Sequence, residues 1–287
     1  MEIGIADKRQ ALVLGFWPLV FRIVALSNGG CLGGLRSAVL VWFVETAKSK
    51  DQRPKIKAMI IKQITVTAFQ QHTRIVGCEE TKQAICIDPG DDSDAIVEQI
   101  DHNGLTLQAI AITHAHLDHV GGVASLKKLK PEARVTIHRD DEFIYQALPE
   151  QPAWIGIPRA QWPALGFNYE QPPAIDEYFT DGQEYRVGNI QFQIIHCPGH
   201  TPGHVVLFAP AERKVFVGDV LFAGSIGRTD LPGGSTEQLL HSIHNKLMPL
   251  GDDVEVYSGH GPVTTIGEER LTNPFLTGDY KLGRGRM

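Results

Sequence analysis

Four metal-type side chains at the end of a buried strand constrain this chain more than any other feature. Residues 107–112 form an apolar run that reads as a strand. His114, His116, Asp118 and His119 follow within six positions, and then Gly121 and Gly122. Residues 120–129 read as a helix opened by the two glycines, so the polar group falls on a strand-to-helix turn. A single histidine among the 12 of this chain is ordinarily a surface or a satisfied core residue. Three histidines and an aspartate crowded behind an apolar strand are costly to bury without a metal or dense hydrogen bonding. Neutral imidazole and carboxylate suit zinc, iron or manganese. On such a turn His114 and His116 can point one way while Asp118 and His119 swing to a second position. Two metals side by side are therefore expected rather than one.

Three later stretches repeat the arrangement. The run 190–195 leads into His196, Cys197, Pro198, Gly199, His200, Thr201, Pro202, Gly203 and His204. The run 215–218 ends on Asp219, and 254–257 leads into Ser258, Gly259 and His260. Each candidate ligand follows an apolar run, as in a site built along one edge of a sheet sandwich. With His-x-His-x-Asp-His at 114–119, these stretches resemble the metallo-β-lactamase superfamily over about residues 59–276. The resemblance implies an α/β fold, the αβ/βα four-layer sandwich of that superfamily. It also implies that His114, His116 and His200 hold one metal and that Asp118, His119 and His260 hold a second. Asp219 would bridge both, and Asp118 would serve as the catalytic residue as well as a ligand. The implied cofactors are two divalent metal ions, zinc first and iron or manganese as alternatives. His196 and His204 are open between loop packing and a supporting or substrate-facing role.

Two further stretches narrow the resemblance. Gly224, Ser225, Ile226, Gly227, Arg228, Thr229 and Asp230 follow Asp219, and Glu268, Glu269, Arg270, Asn273, Pro274, Phe275 and Leu276 follow His260. Both resemble the small single-domain members of the glyoxalase II (hydroxyacylglutathione hydrolase) branch. Only 27 residues follow His260, too few for the helical glutathione-binding domain of larger members, so the thiol carrier stays open. The implied activity is hydrolysis of thioesters such as S-D-lactoylglutathione by a metal-bound hydroxide. Two alternatives share the fold: a persulfide dioxygenase with one iron on His114, His200 and Asp219, and a lactonase. Arg228 is a candidate for the substrate's carboxylate, or for a salt bridge with Asp230. Tyr145, Tyr169 and Phe275 are candidates for a substrate groove, or for the core.

Composition bounds the rest. The length of 287 residues suits one large domain or two small ones. Hydrophobic residues at 43% and charged residues at 21% place the chain among ordinary globular proteins. A net charge of −6 argues against a nucleic-acid surface, and the resemblance implies a small-molecule thioester as the partner. Cys31, Cys78, Cys86 and Cys197 are scattered without a Cys-x-x-Cys pair, which suggests free thiols in a reducing cytoplasm. Residues 1–58 do not share the resemblance. Their apolar runs, 11–26 and 38–44, fall short of the roughly 20 uninterrupted residues of a membrane span. Lys8 and Arg9 before an apolar stretch resemble a signal peptide faintly, without a clear cleavage site. The chain is accordingly divided into an N-terminal extension, 1–58, and a hydrolase domain, 59–287. Met59 is then the physiological start, or 1–58 is a poorly packed addition.

Overall fold

The computed structural model describes residues 59–278; the expectations for 1–58 and 279–287 lie outside them. The described chain begins with β1 (Met59–Val66), β2 (Gln71–Cys78), β3 (Gln83–Ile87), α1 (Ser93–His102) and β4 (Thr106–Ala111). Two short helices, α2 (Leu117–Val120) and α3 (Val123–Leu129), lead to β5 (Arg134–His138). After α4 (Glu142–Gln146) and α5 (Gln151–Trp154) the chain forms β6 (Glu177–Phe179), β7 (Glu184–Val187), β8 (Ile190–His196), β9 (Val205–Ala209) and β10 (Lys214–Gly218). A small hairpin, β11 (Leu221–Phe222) and β12 (Ser225–Ile226), precedes α6 (Thr236–Ser242). The rest is β13 (Glu255–Ser258), β14 (Thr264–Thr265), α7 (Ile266–Thr272) and α8 (Pro274–Thr277). One sheet runs in sequential order from β1 to β6. The other has the order β14-β13-β10-β9-β8-β7. Both are mixed: β3 through β6 pair in parallel, as do β10 and β13, while the remaining pairs in the two sheets are antiparallel.

Alternation along the strands builds the four layers. In β4 and just beyond it, Leu107, Ile110 and Ile112 pack with Ile96 and Ile100 of α1 and Leu126 of α3. Ala109 and Ala111 face Phe192, Leu207 and Phe216 of the other sheet. In β9, Val205, Leu207 and Ala209 face the first sheet, while Val206 and Phe208 pack with Leu239, Ile243 and Ile266 on the outer helices. Successive strand side chains point to opposite faces, so each central strand serves two hydrophobic layers at once. The result is helix, sheet, sheet, helix, the four-layer sandwich that the resemblance implied. Among the described residues no helix is long and apolar enough to cross a membrane.

Two helices differ from the sequence reading. The helix expected at 120–129 starts earlier. His116 is its extended N-cap, α2 occupies Leu117–Val120, and Gly121 remains helical at φ −57° and ψ −34°. The glycines are therefore inside the helical run and do not open it. They are required by contact, since the 89–91 loop crosses here and Gly122 N donates to Pro89 O at 2.9 Å. The helix expected at 236–247 is one rod whose second half, Ile243–Leu247, is wound as a π-turn.

Candidate metal centre

The candidate ligands gather at strand ends on one edge of the sandwich, with Asp118 and His119 on α2 just beyond β4. His114 and His116 follow β4, His200 follows β8, Asp219 follows β10 and His260 follows β13. Two backbone bonds close this edge between the sheets: Val205 N to Thr113 O at 2.9 Å and His72 N to Gly259 O at 2.8 Å.

The side chains meet in two groups. His200 Nε2 lies 2.8 Å from His116 Nδ1 and 3.1 Å from His114 Nε2. In the second group His260 Nε2 lies 3.2 Å from Asp118 Oδ2, and His119 Nε2 lies 3.8 Å from the same oxygen. Asp219 stands between the groups. Its Oδ1 is 3.4 Å from His119 Nε2, and its Oδ2 is 3.6 Å from His200 Nε2 and 3.5 Å from His260 Nε2. Both groups have the donor types and spacing that could hold a metal ion.

Hydrogen bonds on the outer nitrogens aim the inner ones. Asp88 accepts from His119 Nδ1 at 3.0 Å and from the Thr113 hydroxyl at 2.6 Å. The Thr113 oxygen in turn accepts from His114 Nδ1 at 3.1 Å. His200 Nδ1 donates to Arg228 O at 2.7 Å, and His260 Nδ1 donates to Phe69 O at 3.1 Å. A proton held on Nδ1 leaves a lone pair on Nε2, so four imidazoles present acceptor nitrogens to the centre. His119 Nε2 and Asp219 Oδ1 are buried with no hydrogen-bond partner. Converging lone pairs with nothing between them repel, and a divalent cation with nitrogen and oxygen ligands satisfies them. The residues fit the expected metals.

Electrostatics separates the two groups. Burial, with neighbouring imidazoles, holds His114 and His116 well below the ordinary histidine value. Burial also lowers His200, against the pull of Asp219. For His119 and His260 burial acts downward, but the carboxylates of Asp118 and Asp219 outweigh it and both are raised. Burial would push Asp219 up, yet His119, His260 and His200 hold it well below the usual carboxylate range.

Above the two groups lies a cavity of about 230 Å³. Phe69, Leu117, Trp154, Ile155 and Leu231 give it apolar walls, and Arg228 stands at its side. Its Gln151 is committed to the scaffold, since Nε2 donates to Ala115 O and Ile144 O at 2.8 and 2.9 Å. Arg228 is forked onto Asp230 at 2.7 and 2.8 Å, so the salt-bridge alternative is realised while the residue still lines the cavity. Tyr145 and Phe275 do not line it. Tyr145 is fully buried in the helix-side core, where its ring fills space between layers. Phe275 belongs to α8, its backbone N bonded to Asn273 Oδ1. Tyr169, also outside the cavity lining, packs partly buried against that core.

His196 and His204 resolve differently. His196 stacks on His138 with centroids 4.2 Å apart and donates to Pro202 O at 2.7 Å. The rings are within 11° of parallel, and with Asp140 they form a separate, less buried group away from the cavity. His204 is fully buried, and its Nε2 accepts the Asp219 N–H at 3.0 Å. It braces the Asp219 backbone from behind. Cys197 is buried, and burial pushes its thiol up to about 12, a poor nucleophile. The sequence reading missed Asp88 and Asp141, two buried carboxylates that hold ligand loops. The one local signal for Asp88 is its place before Pro89-Gly90 at a strand end, where it adopts φ 51°. The Glu269 and Asn273 motif turns out to be a brace: Asn273 Nδ2 donates to Ser225 O at 3.0 Å, and Glu269 Oε2 accepts Gly224 N at 2.8 Å.

Comparison with known proteins agrees with this geometry. The family model described as the metallo-beta-lactamase superfamily matches residues 67–260. The chain is 40% identical over 220 residues to the hydroxyacylglutathione hydrolase GloC of Haemophilus influenzae, covering 76% of this chain and 98% of that protein. Among solved structures, the BLEG-1 B3 metallo-beta-lactamase superposes with a TM-score of 0.67 at 37% identity, covering 76% of this chain and all of that one. TTHA1623, crystallised in a di-iron-bound form, gives 0.63 at 35% identity, covering 75% of this chain and all of that one. With its two sheets, its outer helices and the histidine and aspartate clusters at its strand ends, this chain belongs to the metallo-beta-lactamase superfamily.

Proposed function

We propose that this chain is a metal-dependent hydrolase that cleaves thioesters such as S-D-lactoylglutathione, with His114, His116 and His200 holding one divalent ion and Asp118, His119 and His260 a second. Asp219 bridges them, and zinc is the expected metal. The observation that carries the reading is the cavity wall. Among the described residues, its only acidic or imidazole side chains are those of the proposed ligand set. Among the described residues of this wall, no separate carboxyl or imidazole proton donor waits for a leaving group. A thiolate, whose conjugate acid has a pKa near ~8.5, departs without one, whereas an amine does not. When bound, the two ions lower the pKa of water and polarise the acyl carbonyl. The chain's own part is to orient and to exclude water. Asp118, at the cavity, is placed to accept a hydrogen bond from the attacking water. Trp154, Ile155, Leu117 and Leu231 enclose the acyl group. The resemblance to the Haemophilus influenzae hydroxyacylglutathione hydrolase supports the substrate class.

The test is one metal-loaded preparation assayed on two substrates. Release of thiol from S-lactoylglutathione, without oxygen consumption, is expected. Oxygen uptake with glutathione persulfide, and no thiol released from the thioester, would replace the reading with the dioxygenase. The complete second group, Asp118, His119 and His260, favours the dinuclear hydrolase, since a single iron leaves these three without a task.

The pKa directions predict the order in which acid strips the centre. A proton must leave an imidazole nitrogen before a metal ion can occupy it. His119 and His260 hold their protons above the ordinary value near ~6.5, while His114, His116 and His200 lose theirs below it. As pH falls from 8, the ion on Asp118, His119 and His260 is expected to leave first and the ion on the three-histidine group later. Activity should fall with the first release. Metal content measured after equilibration at stepped pH should therefore drop from two per chain in two stages. A single simultaneous loss would contradict the assignment.

A further inference from the structure

We propose that Asp141 is the positioning residue that holds the three-histidine group in shape; this rests on the ligand assignment above. The three nitrogens of that group come from two loops far apart in sequence. His114 and His116 lie on the loop between β4 and α2, and His200 lies on the loop between β8 and β9. Asp141 belongs to neither, reaching them from the turn after β5. It is fully buried. Its Oδ2 accepts the Ala115 N–H at 3.0 Å and the Thr201 hydroxyl at 2.7 Å. Its Oδ1 accepts the Gly203 N–H at 2.6 Å. Ala115 sits between His114 and His116, and Thr201 is the residue after His200. One carboxylate thus pins both loops beside their ligands. A Cβ on residue 203 would crowd the Asp141 backbone and carboxylate, so glycine there lets the second loop come this close.

The contact needs a carboxylate. Two of the three donors are backbone N–H groups, which cannot reverse. A carboxylate offers acceptor lone pairs on both oxygens, whereas an amide offers one oxygen and one NH₂ group. Whichever way an asparagine turned, its NH₂ would face either Ala115 N–H or Gly203 N–H. The placement is costly in itself. Burial raises the carboxyl to about 6 even though Thr201, Gly203 and Ala115 all favour its charged form. Charge buried at that cost, and satisfied by donors from both ligand loops, is what a positioning group looks like. Gln151 completes the arrangement by donating to Ala115 O at 2.8 Å, so both backbone groups of the residue between the two histidines are held. Asp88 does the corresponding work for His119. Asp88 also reaches His114 through the Thr113 hydroxyl, whereas the bonds of Asp141 fall only on the loops of the three-histidine group, which makes the proposal specific.

The experiment is titration of the full chain with Zn²⁺ and with Co²⁺. Stoichiometry gives the number of ions, and the visible Co²⁺ spectrum reports the geometry of each. Asp141→Asn is expected to weaken one of the two ions by about 10–100-fold, the usual effect of losing a group that orients a ligand. It should change the Co²⁺ band of that ion and leave the other ion at wild-type affinity. Thr201→Val keeps the carboxylate and two of its three partners, so it should weaken the same ion by a smaller factor. It also gives the answer if Asp141→Asn does not fold. Two ions at wild-type affinity with unchanged Co²⁺ bands, in Asp141→Asn or in Thr201→Val alone should the former not fold, would overturn the assignment. So would equal weakening of both ions. A wild-type chain that binds two ions and cleaves no thioester would overturn the proposed reaction instead, and leave this role standing.

Discussion

Asp219→Ala is expected to empty both metal positions and to lower thioester hydrolysis by more than about 1,000-fold, equivalent to about 4 kcal/mol of barrier. The reason is its place between the groups. One oxygen lies 3.4 Å from His119 Nε2, and the other lies 3.6 and 3.5 Å from His200 and His260. Asp88 also lies near an imidazole of each group, but its bond to His119 is on the outer Nδ1, whereas Asp219 faces inner nitrogens of both groups. Alanine would leave up to five imidazoles with one remaining carboxylate, Asp118, to offset two divalent charges. His260→Ala provides the contrast. It removes one ligand of the second group, at the cavity side, and should cost one ion per chain while the three-histidine group keeps its own. Metal analysis after dialysis, beside the rate with S-lactoylglutathione, checks both. An Asp219→Ala protein that retains two ions and a wild-type rate would remove Asp219 from the centre.

Gly90→Ala should damage stability and the second group together. A Cβ at residue 90 would overlap the backbone oxygen of Asp118 and press on Gln71. That oxygen belongs to α2, which carries Asp118 and His119, so relief of the overlap displaces two ligands. Gly90 does not adopt a left-handed backbone, so the requirement is for room alone. Overpacking of this kind costs about 1–3 kcal/mol and sometimes more. At roughly 2–4 °C per kcal/mol for a domain of this size, Tm should fall by about 2–12 °C. The loss should be seen in the metal-free protein, with weaker binding of the second ion in addition. Wild-type Tm and full occupancy would show that the 89–91 loop can retreat from α2 freely.

The legibility of this chain follows from the range of the interactions involved. The 114–119 cluster is written within one turn of backbone, and its residue types have no packing use, so local chemistry alone exposes it. The later ligands could be read because each follows an apolar strand. Their division between two ions came with the family resemblance, since spacing along the chain does not say which imidazole faces which. The strand runs were legible for the same local reason, but not their faces. In β9 all five residues, Val205–Ala209, are buried, so the sequence shows no polar alternation from which to tell the inner layer from the outer. Short strands such as β6, β12 and β14 have two or three residues each and exist only because a neighbour pairs with them.

The two carboxylates make the division sharpest. Asp88 and Asp141 are two of 33 acidic residues, and apart from the Pro89-Gly90 turn after Asp88 nothing in their neighbours announces a buried role. Asp88 acts on Thr113 and His119, 25 and 31 positions away, and Asp141 on Ala115, Thr201 and Gly203, 26 to 62 positions away. Tyr145 shows the converse: an aromatic side chain suits a groove and a core equally well until the layers are stacked around it. From its own residues the sequence determined the metal-binding chemistry and the succession of strands, because those are set by side-chain type and by alternation over a few residues. Only the tertiary structure decided which groups hold the candidate ligands in place and which side chains line the cavity. Those are contacts between segments that meet only when the two sheets close on one another.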